Sequence, residues 1–289
     1  MSAPTPLDRA ALDRHPLPPV VNGDKDTKGR ILIVAGSRDL PGAGLLAALG
    51  AMRAGAGKLR IATAQSVAPQ LGIAMPEGMV IGLPEDGHGG YAHGAVKIIA
   101  DYAASADCVV AGPGLATGDI CKRISDVLLE TAAALVLDAA LLRSLAPLEQ
   151  RELKRDQPPL LLPHAGELAS LLDCDEQAVE SDPVGCGQQA AQLYCSLVLV
   201  KGVQSHVVTP DGTAWKYDGG APGLGVSGSG DTLAGIVGGL LARGADPLAA
   251  LLWGVWLHGE AGAALAQKVG RVGFLAREIP GEVPALLPR

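Results

Sequence analysis

The segment Gly225-Val-Ser-Gly-Ser-Gly-Asp231, followed by the apolar stretch 232–241, concentrates the chemistry of this chain. Glycines at 225, 228 and 230 let the backbone turn its N–H groups toward an anion, and the start of a helix adds about half a positive charge at the same place. Asp231 stands at that start. Asp is a common helix cap, but Ser229 is equally able to cap, which leaves the carboxylate spare. A carboxylate beside a phosphate-binding loop suits a general base that takes a proton from a hydroxyl attacking phosphorus.

Further stretches place small or titratable residues where strand-like runs end. Ala35-Gly-Ser37, with Leu40-Pro-Gly-Ala-Gly44 opening the next helix, leaves room for a ligand or for close helix packing. Gly112-Pro-Gly114 follows the apolar run 108–111 and offers backbone N–H groups at a strand end. Pro163-His-Ala-Gly-Glu167 follows 159–162; His164 lies in that loop, and Glu167 also fits as a favourable first-turn charge. Lys201-Gly202 follows 197–200, where the lysine suits either a phosphate or solvent. Asp138, after 134–137, is another carboxylate, and His258 in the last long apolar helix reads as structural. No Walker A sequence occurs, which excludes an ordinary P-loop.

The elements that must position these residues alternate. Runs 31–35, 58–62, 108–111, 134–137, 159–162 and 197–200 read as strands, and 44–55, 119–134, 166–172 and 187–194 as helices. The alternation predicts an α/β fold of three layers, a doubly wound, largely parallel sheet with helices on both faces. Runs 205–208 and 213–216, joined around Asp211-Gly212, read as an edge hairpin, and two long Ala/Leu helices follow from about 230 and 247. Ligands of such sheets bind beyond the C-terminal strand ends, where the loops above lie. Residues 1–24 read as an N-terminal tail and 25–289 as a single catalytic domain.

Composition narrows the function classes. The 289 residues carry a net charge of −7 with 18% charged residues, so clustered cations for a nucleic-acid surface are missing. Prolines at 4, 6, 16, 18 and 19 break up the start of the chain, which does not read as a secretory signal. The apolar region 233–257 contains Arg243 and Asp246, and a membrane span of ~20 residues would bury both, so a helix pair is expected. Cys108, Cys121, Cys174, Cys186 and Cys195 show no CxxC spacing and suggest neither a disulfide framework nor a zinc site. A cytoplasmic location and no protein-held metal are expected.

In this order the motifs resemble the ADP/ATP-dependent (S)-NAD(P)H-hydrate dehydratases, a branch of the ribokinase-like superfamily. The likeness runs from about 28 to 280 and includes Lys28-Gly29, Arg53-Ala-Gly-Ala-Gly57, Pro76-Glu77, Gly112-Pro-Gly-Leu115, Leu137-Asp-Ala139 and Pro163-His-Ala-Gly-Glu167. It continues through Val200-Lys-Gly202, Gly228-Ser-Gly-Asp-Thr-Leu-Ala-Gly235 and Leu257-His-Gly-Glu-Ala-Gly262. The resemblance implies a ribokinase-like fold and repair of NADH or NADPH hydrated at nicotinamide C6, driven by ADP or ATP. It implies Asp231 as catalytic base, with Gly228, Ser229 and Gly230 holding the transferring phosphoryl group. Ala43, Gly114 and His164 would join Asp231 on the hydrated nicotinamide nucleotide (NADHX or NADPHX). Lys201, Gly202, Val203, Gln204, Ser205 and Gly230 would contact the adenine nucleotide. Mg2+ would bridge the phosphates through water, a homotetramer is the implied assembly, and a separate NAD(P)HX epimerase the implied pathway partner.

The chain departs from the family pattern at several positions. Asp138-Ala-Ala-Leu-Leu142 stands for Asp-Ala-Asp-Ala-Leu, and Leu162 and Ala165 replace a Thr and a Pro. Ala221 replaces an Asn, Thr27 a His, and Lys201-Gly-Val-Gln-Ser205 stands for Lys-Gly-Ala-His-Thr. The lost polar groups are expected to cluster near the site. Two other readings stay open on the sequence: a ribokinase-like small-molecule kinase acting on another hydroxyl, and a nucleotide-binding sensor or assembly protein without turnover.

Overall fold

The structure is a computed structural model that describes residues 3–19, 25, 27–149 and 155–288. Among these, the strands are β1 (Thr5–Pro6), β2 (Arg30–Val34), β3 (Lys58–Ala64), β4 (Gly78–Leu83), β5 (Cys108–Ala111), β6 (Ala134–Leu137), β7 (Leu160–Leu161), β8 (Leu197–Val200), β9 (Ser205–Val208) and β10 (Ala214–Tyr217). The helices are α1 (Arg9–Asp13), α2 (Gly42–Arg53), α3 (Ala68–Ala74), α4 (Gly94–Ala103), α5 (Asp119–Leu129), α6 (Ala165–Leu172), α7 (Glu176–Ser181), α8 (Pro183–Leu193), α9 (Ser229–Ala242), α10 (Pro247–Lys268) and α11 (Ile279–Leu286). One sheet runs in the order β1-β10-β9-β8-β7-β6-β5-β2-β3-β4. β2 to β8 are mutually parallel, and β9 runs antiparallel to both β8 and β10.

Strands β5 to β8 are apolar at every position because helices cover both faces, so no polar alternation is needed. Ile31, Ile33, Val110, Val136 and Leu199 face α2, α9 and α10 in one core, while Leu32, Val34, Val109, Leu135 and Val198 face α4, α5, α6 and α8 in the other. α10 is long and apolar enough to cross a membrane by composition, but 67% of its apolar window is buried in the protein, where it packs on α9 and α11.

α2 and α9 lie backbone against backbone, and glycine makes this possible. A Cβ at Gly235 would stand 2.0 Å from the Ala47 carbonyl oxygen, and one at Gly239 2.4 Å from that of Ala51. The contact fixes the start of α9 over the sheet. Gly235→Ala is therefore expected to cost about 1–3 kcal/mol in urea unfolding, the usual penalty for overpacking where backbone cannot yield. A variant as stable as the parent would contradict this packing.

The stretch expected as an N-terminal tail is joined to the domain wherever it is described. β1 pairs with β10 through Thr5↔Trp215, which extends the sheet. The Arg9 guanidinium lies 5.0 Å from the Trp253 ring centroid, and Trp253 Nε1 donates to the His15 carbonyl at 2.9 Å. Among the described residues of this stretch only Leu7, Ala11 and Leu12 are buried and apolar, too short a pattern to betray it in the sequence. The helix expected over 119–134 stops at Leu129, where Thr131 Oγ1 donates to the Leu128 carbonyl at 2.7 Å. The helix expected from 187 opens earlier at Pro183, with Asp182 accepting from Gly185 N at 2.9 Å.

Candidate active site

Beyond β2 the chain turns toward β3 and β4, and beyond β5 toward β6, β7 and β8, although β2 and β5 are neighbours. This is the topological switch point, whose crevice is where such sheets bind ligands. Gly36 N donates to the Pro113 carbonyl at 2.8 Å across it. Gly114, at φ +65, could not carry a side chain: a Cβ would stand 2.5 Å from Ala43 Cβ and 3.0 Å from the Leu40 carbonyl. Ala43 and Gly114, far apart in sequence, thus touch in the crevice.

A charged cluster lies over the neighbouring strand ends. β6 delivers Asp138, which is 2% exposed and accepts from Ala139 N at 2.9 Å. Two strands along, β8 delivers Lys201, whose backbone N–H donates to the Pro163 carbonyl and continues the pairing by one bridge, His164↔Lys201. Lys201 Nζ lies 2.7 Å from Asp138 Oδ1 and 3.8 Å from Glu167 Oε2. Burial works against the ammonium charge, but the carboxylates of Asp138 and Glu167 outweigh it and hold the lysine above its ordinary pKa.

His164 caps α6. Its Nδ1 accepts from Gly166 N at 3.1 Å, and its own backbone N–H donates to Glu167 Oε2 at 3.0 Å, a reciprocal capping box. With Nδ1 accepting, the neutral ring carries its proton on Nε2, 3.4 Å from Glu167 Oε1. The side chain is half exposed, so one edge stays open to a ligand while the other holds the helix.

The start of α9 closes the site. Gly228 is the N-cap residue at φ +88, and neither Ser229 nor Asp231 caps the helix with its side chain. Ser229 Oγ instead bonds His258 Nε2 at 2.9 Å, which gives His258 its structural use. Burial pushes that imidazole down to about 4, so it is neutral at physiological pH. First-turn N–H groups have no partners inside their own helix, and no side chain caps them in α9. A Cβ on Gly230 would lie 3.6 Å from Lys201 Nζ, so the ammonium and the uncapped helix start meet at Gly230. Two positive features face one point, an arrangement suited to an anion.

Asp231 stands beside it. Burial first, then the neighbouring carboxylates of Asp138 and Glu167, push its carboxyl up against the opposing charge of Lys201, to about 6 in all. Such a group is ionised at neutral pH yet far more basic than a surface aspartate, which suits proton abstraction. An acid limb near pH 6 is therefore expected in kcat/KM for any reaction in which Asp231 is the base. A limb below pH 4.5 would contradict this assignment.

Gly202, Val203 and Gln204 make the turn from β8 to β9, with Val203 fully exposed, and Ser205 opens β9 opposite Tyr217. Lys201 links this turn to Gly230. The sequence singled out Asp138 and Glu167 only as loose possibilities, and their meeting around Lys201 becomes legible once β6, β7 and β8 are adjacent. Among the described residues no group of three or more His, Cys, Asp or Glu side chains is placed to hold a metal.

The family model described as NAD(P)H-hydrate dehydratase matches residues 31–285. The chain belongs to this family. An ADP-dependent (S)-NAD(P)H-hydrate dehydratase of Xanthomonas campestris is 49% identical over 284 residues, covering 97% of this chain and 95% of that protein. The solved ADP/ATP-dependent NAD(P)H-hydrate dehydratase of Bacillus subtilis, co-crystallised with ATP and Mg2+, is 29% identical with a TM-score of 0.85, covering 99% of this chain and 98% of that one. A ribokinase-like superfamily protein from Enterococcus faecalis, 23% identical over 98% of this chain and 94% of its own, shares the fold with a TM-score of 0.80. The fold is ribokinase-like.

Within this NAD(P)H-hydrate dehydratase family member the departures from the motif pattern do not all gather at the site. Thr27 precedes β2 and borders a cavity with Arg243 and Gly244 beyond the end of α9, at the opposite end of the sheet from Asp231. Leu162 is a core residue whose N–H donates to the Leu137 carbonyl at 3.1 Å. Ala140 follows Asp138 by two residues and does lie near the charged cluster.

Proposed function

We propose that this chain dehydrates (S)-NADHX or (S)-NADPHX to NADH or NADPH, using ADP or ATP. The convergence of Lys201 and the uncapped start of α9 on Gly230, with Asp231 alongside, carries this assignment. Hydroxide is a poor leaving group, and phosphorylation makes it a good one. Asp231 takes the proton of the C6 hydroxyl as its oxygen bonds to the terminal phosphorus of the nucleotide. The bond from that phosphorus to the AMP (or ADP) oxygen breaks. The N–H groups of Gly230 and Asp231 and the Lys201 ammonium face the charge that develops on the phosphoryl oxygens. Phosphate then leaves C6 with the bonding pair, C5 loses a proton, and the C5–C6 double bond restores the dihydropyridine. Magnesium on the nucleotide phosphates supplies further charge neutralisation when bound.

Ala43 and Gly114 flank the nicotinamide in the crevice, His164 presents the exposed half of its ring, and the turn 201–205 borders the adenine nucleotide. To this reading belong, as parts of the same proposal, a homotetramer, a cytoplasmic location and an NAD(P)HX epimerase as pathway partner. Hydrated NADH with ADP or ATP and Mg2+ should regain the near-UV absorbance of dihydronicotinamide only when nucleotide is present. Nucleotide binding by calorimetry without recovery would contradict the assignment and leave a kinase of another hydroxyl or a sensor.

A further inference from the structure

A cavity of about 410 Å³ opens between the loop after β5 and the 3₁₀ helix Ala139–Ser144 that follows Asp138. Thr117, Asp119, Lys122, Ala140, Arg143 and Ser144 line it. Its position is informative. Gly114 follows β5, the 3₁₀ helix follows β6 and His164 follows β7, so the cavity lies at the same C-terminal end of neighbouring strands as both residues. The volume falls within the ~300–1,000 Å³ of small-molecule sites and is comparable to one nucleotide.

Its chemistry is specific in this acidic chain. Lys122 is held by Asp126 at 3.1 Å, but Arg143 is exposed and makes no ion pair among the described residues. An unpaired guanidinium offers a planar fork of donors that matches phosphate oxygens. Asp119 adds a carboxylate acceptor suited to sugar hydroxyls, and Thr117 and Ser144 add hydroxyls; Ala140 contributes only a methyl group and leaves the space open. A dinucleotide whose nicotinamide lies at Ala43, Gly114 and Asp231 has its diphosphate and second nucleoside still to place.

We propose that this cavity receives the adenylate half of the dinucleotide substrate, with Arg143 on its phosphate and Asp119 on its ribose hydroxyls. The proposal deepens the dehydratase assignment and rests on it for the identity of the substrate. Binding tests it apart from turnover. NADH and reduced nicotinamide mononucleotide are titrated by dihydronicotinamide fluorescence, with AMP saturating the phosphoryl-donor site. The parent is expected to bind NADH more tightly than the mononucleotide. Arg143→Ala should weaken NADH about tenfold or more, as loss of a charged hydrogen bond does, and leave the mononucleotide unchanged; Arg143→Lys should recover part of the loss. Because Arg143 is exposed, the variants are expected to fold, and circular dichroism checks this. A parent that does not distinguish the two ligands, unchanged NADH affinity in Arg143→Ala, or equal losses for both ligands would overturn the proposal. Arg143-dependent binding without any restoration of hydrated NADH would instead overturn the dehydratase assignment and leave the cavity as a dinucleotide site.

Discussion

Asp231→Asn is expected to lower the rate of dehydration by ~10²–10⁴-fold, the range that general-base catalysis supplies, with little change in the Kd for ADP. The amide keeps the size and shape of the carboxylate but cannot accept the proton. Nucleotide affinity should persist because the anion site is made by the backbone around Gly230 and by Lys201, and Asp231 does not cap the helix. The same substitution should stabilise the protein at neutral pH. A carboxyl raised in the folded state to about 6 binds protons more tightly there than in the unfolded chain. That group therefore favours folding at low pH and progressively loses its contribution as pH rises from about 4 to 6. Removing the charge is worth about 2–3 kcal/mol above that window. Activity lost and stability gained together mark a residue kept for chemistry. Unchanged turnover would exclude Asp231 as the base, and lower stability at pH 7 would show that its charge is not strained by its surroundings.

Lys201→Met is expected to have the second large effect, on binding and folding together. The parent lysine is 19% exposed and compensates Asp138, itself 2% exposed, at 2.7 Å. Without it, buried carboxylates face each other with no cation, and breaking such a pair costs about 3–5 kcal/mol. The acid limb of any remaining activity should move upward, because Lys201 is the group that holds Asp231 down. Affinity for ADP should fall as the anion site loses its charge. The double variant Lys201→Met, Asp138→Asn separates the two roles. It should recover most of the stability, since neither charge is then stranded, but not the nucleotide affinity. Recovery of both would reduce Lys201 to a structural ion pair.

The sheet was readable where strands are buried on both faces: Cys108–Ala111, Ala134–Leu137 and Leu197–Val200 are short apolar runs bounded by loops, and their limits coincide with β5, β6 and β8. β4 is an edge strand with Met79 exposed between partly buried neighbours, so it lacks that signature, and α3, α4, α7 and α11 are elements that the sequence reading above does not include. The glycine-rich loop before α9 was legible in part because one of its glycines serves a backbone conformation that side chains rarely adopt: at Gly228, φ is +88 and a Cβ would stand 2.3 Å from Leu46 Cδ1. Capping was not legible. Ser229 has the right chemistry for a cap but spends its hydroxyl on His258, a residue 29 positions away. His164, by contrast, caps a helix through its ring nitrogen, a use for which local sequence gives little signal. The Asp138–Lys201 pair, 63 positions apart, depends on strand order and could only follow from the fold.

The central claim is that the C6 hydroxyl leaves as phosphate. Hydrated NADH carrying a heavy-oxygen label in that hydroxyl, turned over with unlabelled ADP and Mg2+, tests it directly by mass spectrometry of the released phosphate. The label should appear in phosphate, with one AMP formed for each dihydronicotinamide restored. Label released into water while the absorbance recovers would show elimination without phosphoryl transfer and contradict the role of Asp231 as the base of that transfer.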